Sequence, residues 1–246
     1  MLNAHSALGV YLDLFHDWSL VILIFISFLV FSVIIIFSVN SWSFNDLIEA
    51  KGLELIWTIV PGLVLMLLVM PSLYGLYLMD LSGVYSPRNT VSVVGRQWYW
   101  SYSYLLEIEE YSKTSLRLIY DSYMSDKSDL ELRNLEVDAP LVIVSTVLNR
   151  VLLSSSDVIH SFAVPQLGFK LDCVPGRLNQ SFLSGSYLGK FYGQCSEICG
   201  ANHSFMPISI ECAPYDGIIN KSAVSGSARE FSLVSWFLNI LRHVVF

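Results

Sequence analysis

Positive charge is scarce in this chain. Lys and Arg number 14 against 21 Asp and Glu over 246 residues, none lies in residues 1–17, and Lys51 is the only one before Arg88. That scarcity excludes a nucleic-acid-binding face, which needs clustered cations. It also removes the basic n-region of a cleavable signal, so the first apolar run is expected to be a retained anchor. Lys51, alone between two apolar runs, places their connecting loop inside and both termini outside. Cysteine is sparse too: Cys173, Cys195, Cys199 and Cys212 allow at most two disulfides. No internal repeat is visible, which excludes a solenoid or propeller.

What the chain has in quantity is apolar length. Hydrophobic residues make up 54% and mean hydropathy is +0.55, high for a soluble protein. Trp18–Val39 is 22 residues without a charge and Leu55–Met79 is 25. As a helix the shorter run extends ~33 Å at ~1.5 Å per residue, enough to cross a ~30 Å hydrocarbon core. The alternative, two buried helices of a soluble core, sits badly with that length and with the lack of a polar stripe. Pro61 and Pro71 inside the second run predict a kinked helix packed against other protein, where freed carbonyls find partners. Residues 1–87 carry −5 and residues 88–246 carry −2, so the polar part is nearly balanced. Within it, residues 107–138 hold nine acids and four bases, which reads either as an acidic patch or as a solvated loop.

The texture changes after Asp80. Residues 91–104, VSVVGRQWYWSYSY, have the alternating aromatic and β-branched character of a strand, as do Leu141–Leu153 and Val158–Val164. Turn signals at Asn149-Arg150, Ser154–Asp157, Pro165–Gly168, Pro175-Gly176 and Gly185–Gly189 separate such segments. Short strands at this spacing predict a sandwich or Greek-key barrel of about 130 residues. Three regions follow: an N-terminal segment with a helical hairpin (1–87), an all-β domain (88–221), and a linker with an apolar C-terminal helix (222–246). That last helix, broken by Arg242 and His243, is expected to lie at an interface or against a partner.

Chemistry concentrates in CSEICGANHSFM, Cys195 to Met206, with His160 in DVIHSFAVP 35 residues before Cys195. Thiolate, imidazole and thioether together suit a soft, redox-active metal, copper above all. A disulfide between the cysteines is one alternative, and Gly193 and Gly200 beside them favour close backbone approach to a ligand instead. Zinc is the rival ion, since Cys195, Cys199, His160 and His203 would make a tetrahedral set. Met206 separates the two cases, because a thioether is a poor zinc ligand and a usual weak copper ligand. A mononuclear blue copper needs a single thiolate, and here there are two. Two thiolates can bridge two ions, leaving each one histidine and one weaker donor: Met206 for one, a backbone carbonyl near Glu197 for the other. The count points to a dinuclear copper centre.

GQCSEICGANHSFMP, HSFAVPQLGFKLDCVPGRLNQ, GRQWYWSY, DSYM and LEVD resemble the signature blocks of cytochrome c oxidase subunit II of the mitochondrial type, over roughly Asp46 to Pro207. The resemblance implies a hairpin of two transmembrane helices bearing a cupredoxin-like Greek-key barrel. It implies a copper A centre of two copper ions ligated by His160, Cys195, the Glu197 carbonyl, Cys199, His203 and Met206. Electrons would come singly from cytochrome c and pass to the haem and copper centres of subunit I, with further oxidase subunits and membrane lipid as partners. The Glu197 side chain would help bind magnesium at the interface with subunit I. Trp98 matches the residue through which electrons enter, and Glu54 a carboxylate at the mouth of a proton-uptake route. Asp138 and Asp157 match acids facing cytochrome c. The implied location is the mitochondrial inner membrane with the copper domain in the intermembrane space; a bacterial periplasm is the alternative.

Plainer readings stay open beside these. Trp98, Tyr99 and Trp100 could form a packing face, Glu54 could be a helix-end carboxylate, and Asp157 in SSSDVIH could cap a turn. Cys173 and Cys212 have no place in the motif and read as small buried hydrophobes. Arg96, Phe162 and Ser103 depart from the family's usual His, Trp and acid. His5, His16 and His243 are the histidines outside the metal set, none in either apolar run, so no haem site is expected. Two other functions compete: a quinol oxidase-type subunit that keeps the fold without the metal, and a membrane-anchored copper store.

Overall fold

The computed structural model describes residues 3–41, 49–79, 87, 89–108, 114–125 and 132–214. The expected C-terminal helix in 222–246 lies outside the described residues, as do parts of the acidic stretch 107–138.

Two helices, α1 (Ala7–Val39) and α2 (Lys51–Met79), are both long and apolar enough to cross a membrane. Each starts well before its charge-free run. Hydropathy marks where charge stops, whereas backbone hydrogen bonding tolerates Asp13, His16 and Asp17 on an exposed helix surface. His16 therefore lies within α1 but before the charge-free run that starts at Trp18; its Nδ1 meets Asp17 at 3.3 Å. Helical structure continues through both Pro61 and Pro71. Tyr11 of α1 donates its hydroxyl to the Pro71 carbonyl at 2.6 Å and lies edge-on to Tyr74, so the helices meet at one polar contact among apolar side chains. Most large side chains face outward, Phe28 at 72% and Leu67 at 75% exposure, which suits lipid or partner helices and not water.

The second compact unit comprises the first ten residues together with the chain from Met79 onward. Among the described residues its strands are β1 (Asn89–Arg96), β2 (Tyr99–Ile108), β3 (Thr114–Ser122), β4 (Leu141–Val144), β5 (Asn149–Ser155), β6 (His160–Val164), β7 (Phe169–Cys173), β8 (Asn179–Leu183), β9 (Gly189–Cys195) and β10 (Pro207–Ala213). They make two five-stranded sheets, ordered β3-β2-β1-β5-β8 and β4-β10-β9-β6-β7, mostly antiparallel with parallel β1–β5 and β4–β10 pairs. Between them lies a core that includes Val91, Val93, Trp100, Tyr102, Leu153, Phe162, Ile208 and Ile210. Residues 3–9 are stitched onto this unit. His5 N–H donates to the Gln166 carbonyl at 2.7 Å, and Ser6 Oγ to the Leu167 carbonyl at 2.7 Å.

Two expected strands are in fact pairs. Residues 91–104 form a hairpin, β1 and β2, turning at Gln97-Trp98. The parity of burial records it: Val91, Val93 and Gly95 point inward, then Trp100, Tyr102 and Tyr104. Odd positions give way to even ones, which a continuous strand with period two cannot do. Leu141–Leu153 is also divided, with β4 in one sheet and β5 in the other. The turn falls before Asn149, not at Asn149-Arg150. Fully buried Asn149 explains why: its Oδ1 accepts from Val144 N–H at 3.1 Å, and its Nδ2 donates to the carbonyls of Val144 (2.8 Å) and Leu183 (3.2 Å). One amide closes the crossover and ties it to β8. Asn149→Ala is expected to cost about 2 kcal/mol by leaving these buried amide groups unpaired, read as a lower denaturation midpoint of the metal-free chain in detergent.

Candidate metal centre

The implied ligands come from three places: the start of β6, the end of β9, and the loop from Ser196 to Met206 that returns as β10. His160 opens β6, paired with Cys173 of β7, and is fully buried. Cys195 ends β9 in register with Phe162 of β6, so one sheet holds both first ligands. The loop then brings Cys199 back beside Cys195, a short 3-10 turn (His203–Phe205) carries His203, and buried Met206 leads into β10.

The donor atoms converge. Cys195 Sγ and Cys199 Sγ are 4.0 Å apart and unbonded. Cys195 Sγ has His160 Nδ1 at 3.9 Å and the Glu197 carbonyl at 3.4 Å. Cys199 Sγ has His203 Nδ1 at 3.4 Å and Met206 Sδ at 3.5 Å. Each sulfur thus has a histidine and one weaker donor beside it. Among the described residues His160, Cys195 and Cys199 form the tight cluster, their ligand atoms within 4.8 Å of one another. The Glu197 carboxylate is not in it, although the residue is half-buried nearby.

Electrostatics fit a cationic occupant. Burial would raise the Cys195 thiol, but hydrogen bonds to His160 and to the backbone at Glu197 outweigh it and bring the group down. Cys199 moves the other way, raised by burial and then by the neighbouring Cys195 charge. Two adjacent thiolates in this enclosure repel unless positive charge sits between them, so binding of a soft metal would expel protons. The set of two thiols, two imidazoles, a thioether and a carbonyl suits copper.

Around the ligands is a shell that sequence reasoning missed. Asp157 caps its turn as expected, accepting from Val158 N–H at 2.6 Å, and its Oδ1 also lies 2.9 Å from His160 Nε2. That carboxylate turns the ring so that Nδ1 faces the sulfur. Burial would raise Asp157, and hydrogen bonds from His160, Val158 and Gln97 outweigh it and lower the group. Trp100 lies edge-on to His160 at 5.9 Å and donates Nε1–H to the Met206 carbonyl at 3.3 Å. It is a packing residue, fully buried, whereas Trp98 is half-buried with its Nε1 lacking a partner among the described residues. Asp138 accepts from Tyr123 N–H at 2.8 Å, which makes it a turn cap too. Glu54 stands exposed in the first turn of α2. Cys173 and Cys212 are buried, and burial pushes both thiols up to about 12, as inert core residues behave.

Two glycines make close contacts near the site. Gly193 packs its backbone against the Ala163 carbonyl of β6. Gly95 makes room for the site: a Cβ there would meet the His160 side chain at 2.8–3.1 Å. Gly95→Ala is expected to push the imidazole off position and weaken copper retention about tenfold, measured by competition with a chelator, while circular dichroism of the metal-free chain is unchanged.

Residues 89–213 match the family described as cytochrome C oxidase subunit II, periplasmic domain, and residues 1–74 match that subunit's transmembrane domain. The periplasmic domain of subunit II of cytochrome oxidase (CoxB) of Bradyrhizobium japonicum is 34% identical, with 66% of this chain and 99% of that one covered and a TM-score of 0.49. A mixed-disulfide intermediate between a thioredoxin-like protein and subunit II of cytochrome c oxidase is 33% identical, with 66% and 96% covered and a TM-score of 0.47. Two family models, one over residues 89–213 and one over residues 1–74, establish that this chain belongs to the cytochrome c oxidase subunit II family, a membrane-anchored oxidoreductase subunit with an extramembrane β-sandwich domain.

Proposed function

We propose that this chain accepts single electrons from cytochrome c at a dinuclear copper A centre and passes them to the haem and copper centres of subunit I, where oxygen is reduced to water and protons are pumped. The observation that carries this reading is the paired donor set. Each of two facing sulfurs has its own histidine and its own weaker donor. His160, Cys195, the Glu197 carbonyl, Cys199, His203 and Met206 would hold two copper ions, which when bound supply a one-electron couple.

The protein's part is to hold those donors still and dry. His160 is locked by Asp157 and by the Trp100 edge, and Met206 by its place at the head of β10. Trp98, on the hairpin tip beside the ligand loop, is the proposed entrance for electrons. A Cβ on Gly200 would come within 3.0 Å of its ring, so the indole rests directly on the loop. The Glu197 carboxylate, half-buried and without a hydrogen bond among the described residues, would take magnesium at the interface with subunit I. Glu54, in the exposed first turn of α2, is the proposed mouth of a proton route. The setting proposed is the mitochondrial inner membrane, with the β-domain in the intermembrane space. Oxygen chemistry belongs to the partner subunit's cofactors.

Metal analysis and electron paramagnetic resonance test the reading together. Two coppers per chain sharing one unpaired electron are expected; one copper, or zinc, would refute it. Met206→Leu should shift the midpoint potential with both coppers retained, because a thioether is a weak donor. Trp98→Phe should slow electron uptake from cytochrome c with metal content unchanged, and an unaltered rate would place the entrance elsewhere.

A further inference from the structure

The hairpin turn makes contacts that an electron entrance alone does not require. Gln97 touches both ligand-bearing segments. Its backbone N–H donates to Asp157 Oδ2 at 2.7 Å, and its side-chain Nε2 donates to the Cys199 carbonyl at 2.7 Å. Asp157, through its other oxygen, holds His160. So one residue joins the carboxylate that aims the first histidine to the backbone of the second cysteine.

The Cys199 end of this link is pressed close. Gly200 has φ of +127°, and a Cβ there would lie 3.2 Å from Gln97 Nε2 and 3.0–3.2 Å from the Trp98 indole. A side chain at that position would be strained and would lift the loop from the turn. His160 begins β6 and Cys199 sits on the loop after β9, so local chain geometry does not set their spacing. Gln97 itself is exposed and its bond to the Cys199 carbonyl only partly buried, so the contact adds little to global stability. What it controls is the orientation of groups that touch ligands, where outer contacts have large effects on metal affinity.

We propose that Gln97 is a positioning residue of the metal centre, clasping the Cys199 loop to the Asp157–His160 arm so that ligand spacing and the Trp98 turn are set together. This rests on the copper A reading of the site. In consequence the surface where a donor protein would dock is mechanically continuous with the ligands it feeds.

Gln97→Met keeps the side chain's length and removes its N–H donor. Gln97→Glu keeps the length and sets a carboxylate against the Cys199 carbonyl. Both are made in the full chain in detergent, loaded with copper. Copper release to a chelator, copper hyperfine couplings, midpoint potential and melting of the metal-free chain are then compared with wild type. Release about tenfold faster in both, with altered hyperfine couplings and potential and unchanged melting of the metal-free chain, is the expected result. Wild-type release, couplings and potential in the variants overturn the clasp. So does a loss of stability that is equal in metal-free and loaded chains, since that marks an ordinary fold contact. A wild-type chain that binds no copper pair would refute the function itself and the clasp with it. A normal copper pair indifferent to Gln97 refutes the clasp alone.

Discussion

Two sulfur atoms 4.0 Å apart, each nearly buried, set the terms for the rest of the β-domain. Placed so close and out of water, they cannot both ionise without a compensating cation, and the opposite displacements of Cys195 and Cys199 express that conflict. A disulfide would remove it, but the sulfurs stand far beyond the ~2.0 Å bonded distance. Everything adjacent is arranged to keep the pair open. Cys195 is held by a strand in register with β6, Cys199 by a loop pressed on the hairpin turn, and His160 by a carboxylate behind it.

The sandwich supplies that arrangement cheaply because both sheets end at the site. β1 and β2 bring the Gln97-Trp98 turn from one sheet, while β6, β9 and β10 bring the ligands from the other. Trp100 spans the gap, its ring on His160 and Phe162 and its N–H on the Met206 carbonyl. A core residue thus doubles as the floor of the site. Gly95, on the neighbouring strand, is small because the imidazole occupies the space a side chain would need.

How much of this was legible follows from how far apart the partners are in sequence. Cys195, Glu197, Cys199, His203 and Met206 lie in one short loop, and their side-chain chemistry alone pointed to copper. The helices were legible as charge-free runs, but their starts were not, since an α-helix extends past the point where hydropathy falls. The β1–β2 hairpin was hidden because VSVVGRQWYWSYSY alternates plausibly throughout, and its change of parity appears only once burial is known. Asp157 was legible as a turn cap from SSSD, but its grip on His160 requires the ring's orientation. Gln97 was invisible as a linking residue, with partners 60 and 102 positions away. Asn149 stood in plain view as a turn residue and was placed on the wrong side of its turn. A buried Asn can close a crossover from the strand itself.

The same shell weighs on the choice between a relay and a copper store. A store must surrender its metal, so its ligands should lie on mobile, accessible backbone. Here His160 is fully buried at the start of a strand, Met206 is 1% exposed just before another, and an indole and an amide rest on the otherwise exposed loop at Gly200 and Cys199. Release would require lifting the Trp98 turn, breaking the Gln97 bonds and freeing His160 from Asp157 together. An electron relay needs the reverse of release: ligands that stay fixed while charge changes, with a path outward that is not solvent. Half-buried Trp98, resting on Gly200 and covalently next to Gln97, is the group that would serve as that path in the proposed reading. Rigidity at the ligands and an aromatic contact at the surface therefore meet in one structural feature, which supports the proposed relay over a store.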